Sequence, residues 1–201
     1  MAVEAFVFDC GGVLLTHRDG STYEAWERRL GLRSGELRER LWLGELWSLA
    51  ERGEITEEAF WMRFGQMFGL SEHEAHALAE DLWNTWVVDG HLLRIIDQLR
   101  DRYRIAMLSN ATDVLEEYLE KRYGVADRFE AIVNSSKVGV AKPDPVIYHE
   151  MLQRLALEPN QVMFIDDRPE NVAAAASLGM HVVWYINAQE LERRLVPYLK
   201  K

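Results

Sequence analysis

At 201 residues with 48% apolar side chains, the chain can fill one sizeable hydrophobic core, or a core domain carrying a smaller insertion. Its formal net charge of −10 repels phosphate backbones, which argues against nucleic acid as a partner. Cys10 is the only cysteine, so no internal disulfide or multi-cysteine zinc site can form, and with neither a secretion-type leader nor an apolar run of membrane-spanning length the expectation is a soluble, cytoplasmic protein.

In chain order, the first apolar run, Ala5 to Phe8, reads as a buried strand. The stretch from Thr16 to Gly90 then shows no convincing strand. It predicts helices over Ser21 to Leu30, Ser34 to Arg52, Thr56 to Phe68 and Ser71 to Val87, with turns near Gly31, Gly53-Glu54 and Gly69. Six of the seven tryptophans fall in this stretch, as expected for the core of a small helical bundle. Helical periodicity returns over 91–101, 112–123, 145–157 and 170–178, separated by strand-like runs at Ile105 to Leu108, Ala131 to Val133, Val162 to Ile165 and His181 to Ile186. Asp144-Pro145 suits a helix start, and Gly124 and Gly179 suit helix stops. Alternating strands and helices predict an α/β fold with a doubly wound parallel sheet. The expected division is a core of residues 1–15 and 91–201 and an inserted helical domain of residues 16–90.

Ligands of open α/β sheets bind beyond the carboxyl ends of the strands, so the polar residues that follow each apolar run matter most. The run ending at Phe8 leads into Asp9-Cys10-Gly11-Gly12, the run ending at Leu108 into Ser109-Asn110, and the run ending at Ile165 into Asp166-Asp167. Carboxylates converging on one sheet edge repel each other unless a positive charge sits among them. All-oxygen ligation by Asp9, Asp166 and Asp167 suits Mg²⁺, which takes few protein ligands and adds substrate phosphate. A phosphoryl group held there is an electrophile that the Asp9 carboxylate can attack. Lys142 can neutralise charge on its oxygens and Ser109 can donate a hydrogen bond to them, with Asn110 beside it. Pro143 biases Lys142 toward extended backbone, which can aim its ammonium group into the site.

The chain resembles the haloacid dehalogenase superfamily over nearly its whole length. The motifs that carry the resemblance are Phe8-Asp9-Cys10-Gly11-Gly12-Val13-Leu14, Leu108-Ser109-Asn110, Lys142-Pro143-Asp144-Pro145 and Phe164-Ile165-Asp166-Asp167. The resemblance implies a Rossmann-like core with a helical cap, and a phosphatase acting on a small phosphorylated metabolite. It implies Asp9 as nucleophile and Mg²⁺ ligand, the Gly11 carbonyl as a further ligand, Asp166 and Asp167 completing the metal site, and Ser109 and Lys142 holding the phosphoryl group. Gly44-Glu45 and Arg52-Gly53-Glu54-Ile55 are similar to a bacterial subgroup that includes glucose-1-phosphate phosphatases, which favours sugar phosphates. The protein is expected to act as a monomer or homodimer.

One position departs from the family pattern. Most phosphatases of the family carry an aspartate two residues after the nucleophile as general acid and base, and here that position is Gly11. General acid–base help is worth ~10² to 10⁴ in rate. A phosphatase with such a loop needs a leaving group that demands little protonation, or a proton borrowed from His17, Asp19, Glu45 or Glu54. A 2-haloacid dehalogenase, whose halide leaves without a proton, and a non-catalytic binding protein are the alternatives, with the Asp166-Asp167 pair arguing against the first.

Overall fold

The computed structural model describes residues 2–18 and 20–199. Strands β1 (Ala5–Phe8) and β2 (Leu15–His17) lead into helices α1 (Ser21–Leu30), α2 (Glu36–Trp42), α3 (Glu45–Glu51), α4 (Glu57–Gln66) and α5 (Glu72–Trp83). Then come β3 (Trp86–Val88), α6 (Gly90–Leu99), β4 (Arg104–Ser109) and α7 (Leu115–Glu117), which runs on as a π-helical turn over Tyr118–Arg122. The chain closes with β5 (Ala131–Asn134), α8 (Ser135–Val138), α9 (Pro145–Leu155), β6 (Val162–Asp166), α10 (Pro169–Ser177), β7 (His181–Trp184) and α11 (Ala188–Leu195).

The main sheet has the order β5-β4-β1-β6-β7 with every pairing parallel, as the α/β reading expects. Central β1 alternates its side chains between two cores: Phe6 and Phe8 face one, Ala5 and Val7 the other. The first core takes Leu92, Ile95, Ile96 and Leu99 from α6 and Leu191 and Leu195 from α11; the second takes Ile147, Tyr148, Met151 and Leu155 from α9. These spacings of one, three and four put the apolar positions of each helix on a single stripe. Asp144 starts α9 by accepting from the Val146 N–H at 2.9 Å, with Pro145 in the first turn.

Helices α1 to α5 bury their own cluster, with Leu37, Leu41, Phe60, Leu78 and Leu82 at its centre. Two expectations for this stretch are corrected. The single helix expected over Ser34 to Arg52 is broken at Leu43-Gly44, where Gly44 is extended at φ −81°, ψ 157°. The stretch also holds strand: β2 and β3 pair antiparallel, Leu15 to Val88 and His17 to Trp86, so the helix expected to reach Val87 ends at Trp83. Three-residue strands show too little alternation to read in sequence, and their partners lie about seventy residues apart. The 112–123 periodicity produced one α turn and a π turn, and α8 and α11 were not anticipated. No helix among the described residues is long and apolar enough to cross a membrane.

Candidate active site

Parallel register sets the site. Phe8 stands between Met107 and Ile165, so Asp9, Ser109 and Asp166 emerge at one edge of the sheet. The Asp9 N–H donates to the Ile165 carbonyl at 2.9 Å, which fixes the loop on β6 as β1 ends. Asp9, Asp166 and Asp167 each offer a carboxylate oxygen within 4.8 Å of the others. Lys142 lies between them: its Nζ donates to Asp9 Oδ1 at 2.8 Å, to Asp166 Oδ2 at 2.7 Å and to the Leu108 carbonyl at 2.8 Å. All three ammonium protons are thereby used. Lys142, Asp9, Asp166 and Ser109 are buried.

Asn110 is engaged on the Lys142 backbone, donating from Nδ2 to its carbonyl at 2.9 Å and accepting its N–H at 2.7 Å. The Lys142-Pro143 peptide between them and α9 is cis. Asn171, which the sequence reading did not single out, donates to both Asp166 oxygens at 3.1 Å, and the Arg168 N–H donates to Oδ1 at 2.8 Å. Its signal in the sequence is its place in the first turns of α10, five residues after Asp166. Gly12 sits at φ +83°, and a β-carbon there would come within 2.9 Å of the Asp167 carboxyl carbon. Only glycine lets the two loops close at that point.

Burial raises the Asp9 carboxyl; Lys142 draws it back, while Asp166 and Asp167 add to the rise. Burial works against the charge on Lys142, but Asp9 and Asp166 outweigh it and hold the ammonium group above its ordinary value. Asp167 is raised by burial and then by Asp166. Three carboxylates against one ammonium leave an excess of negative charge among hard oxygen donors. That donor set fits a dication such as Mg²⁺.

A cavity of about 610 Å³ opens over this cluster, between the sheet edge and α2, α3 and α5. Trp42, Trp47, Trp83 and Trp86 line it together with Leu43, Leu115, Leu119 and Tyr118. Beside Gly11, the space a side chain would enter is met by the Trp86 ring, whose Cη2 lies 3.8 Å from the position of a β-carbon. Of the residues expected as proton carriers, His17 lines the cavity, but its ring lies tilted against Trp86 with centroids 3.8 Å apart, and burial and then Arg38 lower its pKa to about 4. It is neutral at neutral pH. Glu45 and Glu54 are exposed and outside the cavity, Glu54 pairing with Arg52 at 2.7 Å, and Asp19 lies outside the described residues. Glu51, at the end of α3, does line the cavity, and burial raises its carboxyl against the pull of Arg168.

Glu57 joins the helices to the core. It is buried and accepts from Trp61 Nε1 at 3.3 Å, Trp83 Nε1 at 2.8 Å, the Tyr118 hydroxyl at 3.0 Å and the Thr112 hydroxyl. The Glu57 N–H donates to Asp113 at 2.8 Å.

A model of the haloacid dehalogenase-like hydrolases matches residues 3–179. Mouse acyl-CoA dehydrogenase family member 10 is 31% identical over 195 residues, covering 89% of this chain. A sesquiterpene phosphatase of Aspergillus oryzae is 26% identical over 88% of this chain and 87% of its own length. The chain spans 17% of the mouse relative and 36% of a drimenol cyclase of Aspergillus calidoustus that it also matches at 26% identity. Among solved structures, a HAD family enzyme of Bacteroides thetaiotaomicron superposes with a TM-score of 0.81 at 22% identity, covering 97% of this chain and 99% of the other. Its wild-type complex with magnesium and inorganic phosphate superposes at 0.75 with 24% identity over 90% and 93% of the two chains.

Proposed function

Because the chain belongs to the haloacid dehalogenase-like hydrolases, we propose that it is a Mg²⁺-dependent phosphatase of small phosphate monoesters, with Asp9 as nucleophile. The observation that carries this reading is the Lys142 ammonium group held between Asp9 and Asp166, with Asp167 beside them, at the floor of a cavity. In the first half-reaction an Asp9 oxygen bonds to phosphorus while the bond from phosphorus to the ester oxygen breaks, and the alcohol departs. In the second, water attacks phosphorus, releasing phosphate and restoring the Asp9 carboxylate. Ser109 donates to a phosphoryl oxygen, Lys142, hydrogen-bonded to Asp9, Asp166 and the Leu108 carbonyl, supplies positive charge beside it, and Asn110 and Asn171 fix Lys142 and Asp166 in place. Asp9, Asp166, Asp167 and the Gly11 carbonyl would hold Mg²⁺, which supplies charge neutralisation for the phosphoryl group.

Two likenesses support the reading: the Aspergillus oryzae relative is a phosphatase, and the Bacteroides enzyme binds magnesium together with phosphate. Residues 16–90 then serve as a cap that shields the reaction from bulk water. Glu51, which lines the cavity, would lend the leaving oxygen its proton, a duty Gly11 cannot perform. A metal-free dehalogenase would gain nothing from Asp166 and Asp167 crowding its nucleophile.

Phosphate release from p-nitrophenyl phosphate with Mg²⁺ tests the proposal. Asp9→Asn should abolish it and a chelator should stop the unmodified protein; near-normal release by Asp9→Asn, or halide release from 2-haloacids without metal, would overturn it.

A further inference from the structure

From the walls of the cavity we infer that the preferred substrate is a phosphate monoester of a bulky, apolar alcohol, aromatic or isoprenoid, in place of the sugar phosphate suggested by the sequence resemblance. The inference rests on the proposed phosphatase activity and names its substrate class.

Four indole rings packed against one another, Trp42 and Trp47 with centroids 4.5 Å apart, line a cavity of about 610 Å³, within the ~300–1,000 Å³ of sites that take drug-sized ligands. A sugar would need free donors and acceptors on those walls, because each hydroxyl buried without a partner costs ~1–3 kcal/mol. The lining also carries Arg38, Glu39, Glu51 and Arg168, but three of its aromatic side chains have their polar ends turned elsewhere. Trp83 Nε1 and the Tyr118 hydroxyl donate to Glu57, and Thr112 joins them there. Trp42 Nε1 donates to the Tyr23 hydroxyl at 3.2 Å, and the Arg38 guanidinium lies over the Tyr23 ring at 4.5 Å. Buried Glu57 thus collects the polar ends of Trp83, Tyr118 and Thr112, while Trp86 Nε1 is buried without a hydrogen-bond partner among the described residues.

The position of Gly11 points the same way. Beside Gly11, where the family's acid would stand, the Trp86 ring lies in ordinary van der Waals contact, 3.8 Å from the position of a β-carbon. The alcohol therefore leaves the phosphoryl group past an indole face, a surface suited to an aryl or isoprenyl chain by area and stacking. Leu43, 71% exposed at the break between α2 and α3, extends the apolar lining to the mouth.

The test compares KM and kcat for four esters with Mg²⁺: 1-naphthyl phosphate, farnesyl monophosphate, glucose 1-phosphate and glucose 6-phosphate, with p-nitrophenyl phosphate as the reporter of phosphatase activity. The naphthyl and farnesyl esters should show KM values lower than the glucose esters by about tenfold or more, the scale on which apolar pockets discriminate. Their ratio separates an aryl from an isoprenyl preference. Leu43→Glu should raise KM for the two apolar esters about tenfold and Leu43→Met should restore it, since the side chain is exposed and the fold does not depend on it. Quenching of tryptophan fluorescence by 1-naphthyl phosphate in the Asp9→Asn variant gives a second readout that needs no turnover. Release from p-nitrophenyl phosphate with equal or better KM for the glucose esters would overturn the substrate class and leave the phosphatase reading intact. No release from any ester, with quenching preserved, would overturn the phosphatase reading and leave the apolar pocket standing.

Discussion

At the scale of residues, the chemistry depends on what surrounds Asp9. Lys142 bridges two of the three carboxylates and is itself held by Asn110, which leaves a negative excess for a cation to meet. The proton for the leaving oxygen is the part that a glycine at position 11 leaves open. If Glu51 carries it, Glu51→Gln should slow hydrolysis of unactivated alkyl phosphates by ~10² or more while slowing p-nitrophenyl phosphate far less, because general acid help matters most for basic leaving groups. Equal losses on both classes of ester would show that Glu51 acts in some other way. An aspartate substituted at Gly11 would set its β-carbon against the Trp86 ring at an ordinary contact distance of 3.8 Å.

At the scale of elements, two features set how α1 to α5 sit on the sheet. Gly53 has φ +71°, and a β-carbon there would overlap the Ser136 carbonyl, 3.0 Å from its carbon, so the turn after α3 packs directly on the backbone of α8. Gly53→Ala should cost ~1–2 kcal/mol from the left-handed backbone alone, with the overlap adding to it, measured as a lower urea midpoint. Glu57 is the second feature. Burial raises its carboxyl above the ordinary range, although Thr112, Tyr118 and two indoles pull it back. A raised folded value means the folded state holds the proton more tightly than the unfolded chain. The favourable contribution is then whole below the unfolded carboxylate value near ~4.3 and is lost as pH rises through the folded value. Glu57→Gln keeps an acceptor for the indoles and removes the ionisation. The stability of this variant relative to the unmodified protein should therefore increase from acid to neutral pH, and a difference that stays constant in denaturation at both pH values would count against this account.

At the scale of the whole molecule, a net charge of −10 favours cations, and the carboxylate cluster at the sheet edge gives them a place to concentrate. Mg²⁺ at about a hundred times its Kd should raise the unfolding free energy by ~2.7 kcal/mol, seen as a higher melting temperature that a chelator reverses and Asp166→Asn diminishes. The α/β class, the parallel sheet and the order of the site motifs could be read from the chain because Asp9, Ser109 and Asp166 each stand at or beside the end of an apolar run. Such runs are local and must be buried wherever they occur. Helices α1 and α4 were legible for the same reason, their periodicity being a property of neighbouring residues. The β2–β3 pair, the break at Gly44, the reach of Asn171 to Asp166 and the gathering of four donors on Glu57 were not, because each needs partners brought from separate segments. What the sequence by itself determined was which residues stand at the sheet edge. Only the tertiary structure decided what stands over them, a cluster of four indoles with one ring beside Gly11, because which faces of five helices meet depends on packing between distant segments and not on the period of any one of them.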